Sequence, residues 1–475
     1  MDTIVEVINS INGFVWGPPM IVLLLGSHLF FTFRTRGIQR KLFKAIKLSI
    51  SKDESSDGDI SQFGALCTTL SGTIGTGNIV GVGTAILAGG PGAVFWMWLT
   101  GVFGIATKYS EVYASVKYRE KDERGNIMGG CMVIFKRAFK KEDGTTPAPA
   151  KIGAICFALF GAIAALGTGC AVQSQAITSI ITSNFEQIPA WLIGAIIVII
   201  TGLVVVGGIK NITTVCEKLV PFMAIAYAGG CIVILCMNAS VIGDAFVLIL
   251  QSAFDPQAAF GGALGSSIIV VMQYGCARGL FSNESGMGTA PIVASAAQTT
   301  NPARQSLVAM TGTFWSTVVM CLLTGLVITT CMIQNPDILS NITAGNIVAG
   351  GELTNASFTS IPYIGTGLLM LGIVTFAMST ILGWYYYGDR CFSYLFGTKN
   401  VRIYQVLYIL AAMLGALGVG DVVWAISDIA NALMSIPNLI CVLCLSGLVA
   451  KETRHYVWEN NLDEKSADTI PAFNE

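Results

Sequence analysis

Charged residues are scarce in this chain of 475 residues, because Asp, Glu, Lys and Arg together make up 12% of it. A soluble protein carries about 25% charged residues. Hydrophobic residues reach 53%, and long apolar runs recur along the sequence. A membrane span needs about 20 mostly apolar residues. The composition therefore excludes an ordinary soluble domain and predicts an all-α polytopic membrane protein, with the lipid bilayer as its surroundings.

Histidine is nearly missing, since His28 and His455 are the two in the sequence, and neither has a cluster of potential ligands beside it. Binding of a metal through histidine is therefore not expected. No Ser/His/Asp, histidine-cluster or paired-carboxylate pattern falls at a shared depth, so we expect no enzyme activity and no organic cofactor. We also expect no nucleic-acid partner, and the sequence predicts no particular oligomeric state.

Eleven apolar segments are long enough to be spans, and they are separated by short polar loops. The first ends in Arg34-Thr35-Arg36 rather than at a small-residue cleavage site, so we expect no cleavable signal peptide. The predicted spans are residues 14–33, 63–88, 93–116, 152–183, 191–208, 213–237, 262–287, 306–332, 361–387, 403–419 and 422–449.

Lysine and arginine are missing from every second loop, and this absence predicts the orientation. The empty loops are residues 1–13, 89–92, 184–190, 238–261, 334–360 and 420–421. Basic residues mark the cytoplasmic side of a membrane protein. We therefore predict a protein of the plasma membrane (the cell's inner membrane), with the N-terminus outside and the C-terminus in the cytoplasm.

Glycines interrupt the second predicted span, where the segment 70–83 reads LSGTIGTGNIVGVG. A span normally hides its backbone polar groups in its own helix, and an open backbone is tolerated only where protein or a polar site uses it. Glycine permits such an opening because it lacks a Cβ. The segment therefore predicts a broken helix whose loose ends hold a small ligand or an ion.

A second glycine-rich span, residues 262–287, lies five spans later, and we place its break at residues 273–279, QYGCARG. Each broken span would begin a block of five, and five is odd, so the second block would run inverted to the first. Paired broken helices in inverted repeats are typical of secondary transporters. The predicted organisation is residues 1–60 for an N-terminal span and a cytoplasmic basic loop, 61–237 and 238–449 for the two repeats, and 450–475 for a cytoplasmic tail.

The first break predicts the chemistry of the site. The N-terminus of a half-helix carries partial positive charge and suits a carboxylate, and Thr76, Gly77 and Asn78 are placed to present N–H groups there. Thr73 and Ile74 are placed to offer carbonyl oxygens to a cation, to which Asn78 would add its side-chain oxygen. No acidic residue lies between positions 66 and 93, so the carboxylate of a bound zwitterion would complete the cation shell.

Four sequence blocks resemble the alanine or glycine:cation symporter family, the sodium:alanine symporters. They are residues 89–104, GGPGAVFWMWLTGVFG; 71–79, SGTIGTGNI; 277–291, ARGLFSNESGMGTAP; and 375–388, TFAMSTILGWYYYG. The resemblance implies a LeuT-type 5+5 inverted-repeat fold with one extra N-terminal span. It also implies symport of alanine or glycine with Na⁺ as the coupling ion, and D-alanine or serine remain open as substrates.

The same resemblance implies the residues of the site. The substrate would contact Thr76, Gly77 and Val80 at the first break and Gln173 in the third core span. Its remaining contacts would come from the second break, at Tyr274, Gly275, Cys276 and Ala277. The sodium ion would lie between the carbonyls of Thr73 and Ile74, with Asn78, and the hydroxyls of Ser379 and Thr380.

Two departures from the family pattern bear on function, whereas Ser285 and Thr289, which replace small residues usual in their block, are expected to have little effect. Cys170 stands where the family commonly has asparagine, which leaves the choice of substrate open. Ser316 stands where the family often has aspartate, which removes one carboxylate and leaves the coupling open. A proton-coupled symporter, for which Asp428 and Glu217 are the available carboxyl groups, and an amino-acid sensor without transport remain alternative functions.

Several of these residues also have purely structural interpretations. Gln173 could form an interhelical hydrogen bond, worth about 0.6 kcal/mol on average, and Ser379 and Thr380 could bond to carbonyls of their own helix. Arg278 is costly in lipid, and we expect it to face an inner vestibule and to pair with Glu284.

Overall fold

The computed structural model describes residues 2–51, 58–255, 267–418 and 421–466. It is helical, as the apolar composition requires, because a helix satisfies its backbone polar groups within one segment. The α-helices of the described residues are α1 Asp2–Val15, α2 Pro18–Arg34, α3 Leu42–Ser49, α4 Gln62–Thr73, α5 Val80–Gly89, α6 Gly92–Lys117, α7 Cys131–Ala138, α8 Ala148–Leu166, α9 Val172–Asn184, α10 Ala190–Val205, α11 Gly208–Met237, α12 Ile242–Phe254, α13 Ile268–Asn283, α14 Ala290–Ala294, α15 Pro302–Thr313, α16 Leu322–Gln334, α17 Pro336–Thr343, α18 Gly350–Phe358, α19 Gly365–Phe396, α20 Val401–Gly418, α21 Asp421–Cys444 and α22 Ser446–Thr453.

Shorter elements connect or interrupt these helices. Two antiparallel strands, β1 Glu120–Lys121 and β2 Ile127–Met128, form a hairpin between α6 and α7. Helical turns of other pitch are the 3-10 segments Ile38–Lys41, Thr76–Asn78, Ala239–Val241 and Thr398–Asn400 and the π segments Gly167–Ala171, Phe314–Cys321 and Arg454–Trp458.

Seven helical segments among the described residues are long and apolar enough to cross a membrane, which makes this a multi-pass membrane protein. The other four predicted spans are helical but differ in length or polarity. The span predicted at 63–88 is divided into α4 and α5, and α6 carries the buried pair Lys108 and Glu111. α10 has 16 residues. α13 begins at Ile268, after the extended Ser267, and residues 262–266 of its predicted span lie outside the described part. The count of eleven spans therefore stays a prediction, as do the two inverted repeats.

The broken segment between α4 and α5 lies inside the helix bundle. α4 packs against α11 and α19, α5 packs against α13 and α18, and α8 packs against α19 and α21. The interior of α4 is almost fully buried, including the polar Thr68, Thr69 and Ser71. The fold thus surrounds the break with protein on the sides from which α19, α13 and the π segment Phe314–Cys321 approach.

The prediction of the first break is confirmed, and the position predicted for the second is wrong. α13 is a continuous helix through residues 273–279 and ends ten residues beyond Gln273, at Asn283. The second break lies instead at residues 284–289, where the chain opens with left-handed backbone at Glu284 (φ 53°), Gly286 (φ 94°) and Gly288 (φ 80°) before α14 begins. The glycines of residues 273–279 instead let α13 approach α6, since a Cβ on Gly275 would lie 2.6 Å from the carbonyl oxygen of Ala93.

Candidate functional site

The first break exposes backbone groups of both kinds. α4 ends at Thr73, Gly75 has extended backbone (φ −132°, ψ −161°), and a single 3-10 turn follows. Within the part of the chain that the structure describes, the carbonyl oxygens of Thr73 and Ile74 accept no backbone hydrogen bond, and the N–H groups of Thr76 and Gly77 donate none. Free carbonyls suit a cation and free N–H groups at a helix start suit a carboxylate, so both halves of the predicted chemistry are available here.

The side-chain amide of Asn78 holds the break in shape. Its oxygen accepts a hydrogen bond from the N–H of Gly75 at 3.0 Å, and its nitrogen donates to the carbonyl oxygen of Ser316 at 2.7 Å and to the hydroxyl of Ser282 at 3.0 Å. The carbonyl of Ser316 belongs to the π segment Phe314–Cys321, and π segments are frequent at functional sites. Asn78 therefore has a structural role, and its predicted role as a cation ligand stays a prediction.

Gln173 and Thr76 are brought together although 97 positions separate them. The hydroxyl of Thr76 donates to Oε1 of Gln173 at 2.9 Å, and Nε2 of Gln173 donates to the carbonyl of Thr168 at 3.1 Å. Thr168 lies in the π segment Gly167–Ala171, and its hydroxyl accepts a hydrogen bond from Nδ2 of Asn431 at 2.8 Å. A continuous line of polar groups thus joins α21, the third core span and the first break.

Cys170, one of the two departures from the family pattern, points to another helix. Its thiol donates to the carbonyl oxygen of Tyr408 in α20 at 3.3 Å, and the residue is fully buried. On the other side of the same π segment, a Cβ on Gly169 would lie 2.6 Å from Cγ of Trp384. The side chain at position 170 therefore bonds to α20, and among the described residues it forms no hydrogen bond with Thr76 or Gln173 that would explain a change of substrate.

Ser379 and Thr380 lie beside the end of α4, as the cation prediction requires. Their hydroxyls are 3.5 and 3.0 Å from the carbonyl oxygen of Ser71, and each is also within 2.9 Å of the carbonyl of Phe376 in their own helix. Thr380 is so close to the break that a Cβ on Gly75 would collide with its Oγ1. The structure thus brings the predicted hydroxyls to the end of α4, where they bond to the carbonyls of Ser71 and Phe376. The roles of Thr73, Ile74, Ser379 and Thr380 as sodium ligands stay predictions.

The predicted contacts at Tyr274, Gly275, Cys276 and Ala277 divide into two groups. Gly275 and Cys276 are buried in the contact between α13 and α6. Tyr274 and Ala277 face the other way and line a cavity of about 260 Å³. These four residues are not at a break, because α13 is continuous here, and only Tyr274 and Ala277 are placed to meet a ligand in this arrangement.

A second cavity, of about 410 Å³, reaches the first break, where Thr76 and Val80 line it. Both cavities are bordered by Asn12 near the N-terminus and by Arg278 and Asp428. Nη2 of Arg278 is 3.3 Å from Oδ2 of Asp428. The prediction that Arg278 pairs with Glu284 is therefore wrong, because helix α13 carries Arg278 towards α21 and the N-terminal helix, away from the second break.

Some residues of the site were not predicted. A Cβ on Gly77 would lie 2.6 Å from Cδ1 of Phe281, so the ring of Phe281 covers the break directly. Phe281 and Ser282 belong to the recognised block 277–291, which was a usable signal. Asn431 and Trp424, which line the two cavities from α21, stand in a sequence context without any such signal.

Comparison with known proteins places this geometry in context. The profile of the sodium:alanine symporter family matches residues 1–470. The chain is 46% identical over 455 residues to the sodium/alanine symporter AgcS of Methanococcus maripaludis, covering 95% of this chain and 97% of that protein. It is 43% identical over 476 residues to an uncharacterized transporter of Haemophilus influenzae, covering 98% and 99%.

Among solved structures, the chain resembles that of MhsT in complex with L-phenylalanine, a transporter of the LeuT fold. The TM-score is 0.58 at 14% sequence identity, and the match covers 86% of this chain and 95% of MhsT. At this identity the likeness shows the fold alone.

Proposed function

Because the chain belongs to the sodium:alanine symporter family, we propose that it imports alanine and glycine together with Na⁺ across the plasma membrane by alternating access. One observation carries the proposal. The first break offers free N–H groups at Thr76 and Gly77 and, a few residues earlier, free carbonyls at Thr73 and Ile74. A small zwitterion and a cation would therefore bind side by side.

Binding of the substrate carboxylate at Thr76 and Gly77 uses the start of the helical turn that leads into α5. A helix N-terminus carries roughly half a positive charge, which favours an anion. Gln173 is bonded to the hydroxyl of Thr76 and orients that side chain towards the ligand. Val80 lines the same cavity one turn further along and would contact the substrate side chain.

The sodium ion would bind between α4 and α19. Thr73 and Ile74 supply carbonyl oxygens, and Ser379 and Thr380 supply hydroxyl oxygens from the facing helix. Asn78 would take part through the lone pair of its oxygen that the Gly75 N–H leaves free. Because no acidic side chain follows within residues 66–93, the substrate carboxylate would complete the shell and link uptake of the amino acid to that of the ion.

Close packing around the break favours a small substrate. The ring of Phe281 lies against Gly77, and Trp384 lies against Gly169 beneath the polar line of Gln173. A large substrate side chain would have to displace one of these aromatic rings. Alanine and glycine avoid that displacement, and serine is the next in size.

The cavities lie on one side of the protein while the opposite side is closed, and this asymmetry supports alternating access. Arg278 and Asp428 border both cavities near Asn12, on the side predicted to be outside. On the opposite side, Arg119 donates to the carbonyls of Ser295 and Ala297 and closes the chain around the second break. Transport would require these inner contacts to open while the outer cavities close.

Uptake of radiolabelled alanine into proteoliposomes tests the proposal. An inward Na⁺ gradient is compared with a matched K⁺ gradient, with protein-free liposomes as the control and with excess unlabelled glycine as competitor. We expect accumulation that requires Na⁺ and is competed by glycine. Uptake driven by a pH gradient without Na⁺ would instead identify a proton-coupled symporter, and binding of alanine without uptake would identify a sensor.

A further inference from the structure

Three ionisable side chains are buried at the second break, apart from the site described above. Lys108 is 1% exposed, and Glu111 and Glu284 are fully buried. Lys108 and Glu111 project from α6, and Glu284 is the residue at which α13 gives way to the break. None of the three has a role in binding the amino acid or the sodium ion at the first break.

Glu111 has the partners of an ionised carboxylate. Its Oε1 is 3.4 Å from Nζ of Lys108. Its Oε2 accepts hydrogen bonds from the N–H of Gly286 at 3.2 Å and from Nδ2 of Asn438 at 2.9 Å. Hydrogen bonds from donors and an adjacent cation both favour the charged form of a carboxyl group. Lys108 and Glu111 therefore form a neutral pair.

Glu284 has no ion-pair partner among the described residues, and its hydrogen-bond donors are neutral side chains, the hydroxyl of Thr289 and the indole of Trp384. The ammonium of Lys108 donates to the backbone carbonyl of Glu284, at 2.9 Å, and makes no ion pair with its carboxyl group within the described residues. Oε2 meets the hydroxyl of Thr289 at 2.6 Å, whereas Oε1 is buried and has no hydrogen-bonded partner among the described residues. An ionised Glu284 would be a second negative charge facing one ammonium, and an unpaired charge is expensive to bury.

The elements packed around this carboxyl group supply no further cation. α19 presents Trp384 and Tyr387. α2 presents His28, whose Nδ1 is 2.8 Å from the hydroxyl of Thr107 and which lies beside Lys108. A positive charge on His28 would be repelled by that ammonium. The described surroundings therefore hold two carboxyl groups and one cation.

From this imbalance we propose that the second break is a proton-binding site, in which Glu284 is a neutral carboxylic acid while the inner side is closed. A sodium ion is disfavoured here because the ammonium of Lys108, which projects from α6, already binds the backbone carbonyl oxygen of Glu284. When the inner side opens and water reaches the break, the O–H bond of Glu284 breaks, the proton passes to water and a carboxylate remains. Closing takes a proton up again, so turnover falls as the internal pH rises.

Infrared spectroscopy of the purified full-length protein tests this directly, because a protonated carboxyl group has a C=O stretch separate from those of carboxylates and amides. At neutral pH in KCl we expect this band in the wild type and in the control Glu186→Gln, whose side chain is exposed. We expect its loss in Glu284→Gln. A wild type without the band, or a Glu284→Gln protein that keeps it in full, overturns the proposal.

A second variant serves if Glu284→Gln does not fold. In Glu111→Gln the ammonium of Lys108 has Glu284 as its one remaining carboxyl partner, so Glu284 should ionise and the band should disappear with Glu284 still present. A band unchanged in Glu111→Gln contradicts the proposal. Loss of the wild-type band on replacing KCl by NaCl also contradicts the proposal, because it would show that Na⁺ binds at Glu284 in place of the proton. None of these readings depends on transport, so they are separate from the test of the symporter.

Discussion

Gln173 is the side chain whose role in the site is most directly testable. Its replacement by alanine removes an amide from the site and leaves the hydroxyl of Thr76, which donates to Gln173 at 2.9 Å, without its acceptor. A buried polar group that loses its partner costs about 1–3 kcal/mol. Since 1.4 kcal/mol is a factor of ten, we expect Gln173→Ala to raise the KM for alanine about tenfold, measured by Na⁺-driven uptake.

Gln187→Ala is the matched control, because the same change is made at an exposed position in the loop before α10. Its KM should equal that of the wild type. If Gln173→Ala left both the KM for alanine and the competition by glycine unchanged, Gln173 would be an ordinary interhelical contact rather than part of the binding site.

A variant of Thr380 allows an effect on Na⁺ binding to be distinguished from an effect on substrate binding. Thr380→Val keeps the shape of the side chain and removes the hydroxyl that lies at the end of α4. We expect about a tenfold higher Na⁺ concentration for half-maximal uptake, equivalent to about 1.4 kcal/mol, and near-normal uptake at saturating Na⁺. Thr375→Val is the control, because the hydroxyl of Thr375 bonds within α19 at the carbonyl of Leu371.

A Thr380→Val protein with an unchanged Na⁺ requirement would place the ion elsewhere. A loss of maximal uptake that Na⁺ does not restore would show that Thr380 acts through packing against Gly75 instead. Thr380→Val should also melt at a lower temperature than Thr375→Val in detergent, since it loses a buried hydrogen bond to Ser71 of another helix, whereas Thr375 bonds only within α19.

At the scale of the residue, local chemistry was predictable and distant partners were not. Thr76 and Gly77 follow the glycine break by one or two positions, so their N–H groups were predictable from the backbone alone. Phe281 and Asn431 reach the site through the crossing of helices far apart in sequence. A single sequence contains no spacing rule for such contacts, because they depend on how α13 and α21 pack.

At the scale of the element, Gly75 determines how closely α19 can approach the broken helix. A Cβ at this position would collide with Oγ1 of Thr380, so Gly75→Ala must push α19 away from α4 or close the break. Forcing extra atoms into a packed core costs about 1–3 kcal/mol. We expect a lower melting temperature and at least a tenfold loss of Na⁺-driven uptake.

Gly229→Ala is the control for Gly75→Ala, because a Cβ there meets no atom within 4 Å and alanine favours a helix. It should retain both uptake and stability. Full uptake by Gly75→Ala would mean that the break and α19 are not held at the distance that the structure shows.

Because α13 is continuous through Gly279, we expect this glycine to serve close packing between helices rather than an opening of the backbone. A Cβ on Gly279 would collide with Oγ1 of Thr100 in α6, so Gly279→Ala should destabilise the protein by about 1–3 kcal/mol through overpacking. The double variant Gly279→Ala with Thr100→Ala removes the colliding atom and should recover much of the melting temperature. Thermal unfolding of the two single variants and the double variant, compared as a cycle, is the measurement.

No recovery in the double variant would indicate that Gly279 is needed for its backbone rather than for close helix packing, as a break at residues 273–279 would require.

The break was predicted at the wrong position for a physical reason. Glycines in membrane helices serve close packing as often as they open the backbone. The segment from Asn283 to Thr289 differed by combining polar residues with Gly286 and Gly288, both of which take positive φ.

At the scale of the whole molecule, the two faces of the bundle are unequally closed. The cavities bordered by Arg278 and Asp428 lead from the side of Asn12 to Thr76. The other face is held by buried contacts such as that between Nη1 of Arg390 and Oδ2 of Asp122, at 2.8 Å. The loops on the face with the cavities lack lysine and arginine. The sequence therefore predicts that this face is outside, but it gives no signal for which face is open.

The ion pair of Arg278 with Asp428 tests this asymmetry, since each side chain is less than one-fifth exposed. Either Arg278→Asp or Asp428→Arg leaves like charges facing each other between the cavities. We expect each single variant to lose at least tenfold in Na⁺-driven uptake, and the double exchange to recover most of it. Contacting residues typically couple by about 0.5–3 kcal/mol, so the recovery should be well above experimental error.

The exposed pair of Arg454 with Glu459 provides the control exchange, because these side chains are 61% and 50% exposed. Surface pairs contribute about 0–1 kcal/mol, so exchanging them should leave uptake unchanged.

If the exchange of Arg278 and Asp428 were no better than the worse single variant, the two would act separately, for example by contacting the substrate, rather than as a pair that closes the outer cavities. Separate action would show as a raised KM in one variant and a lowered maximal rate in the other, whereas a shared closing contact should affect the same kinetic parameter in both.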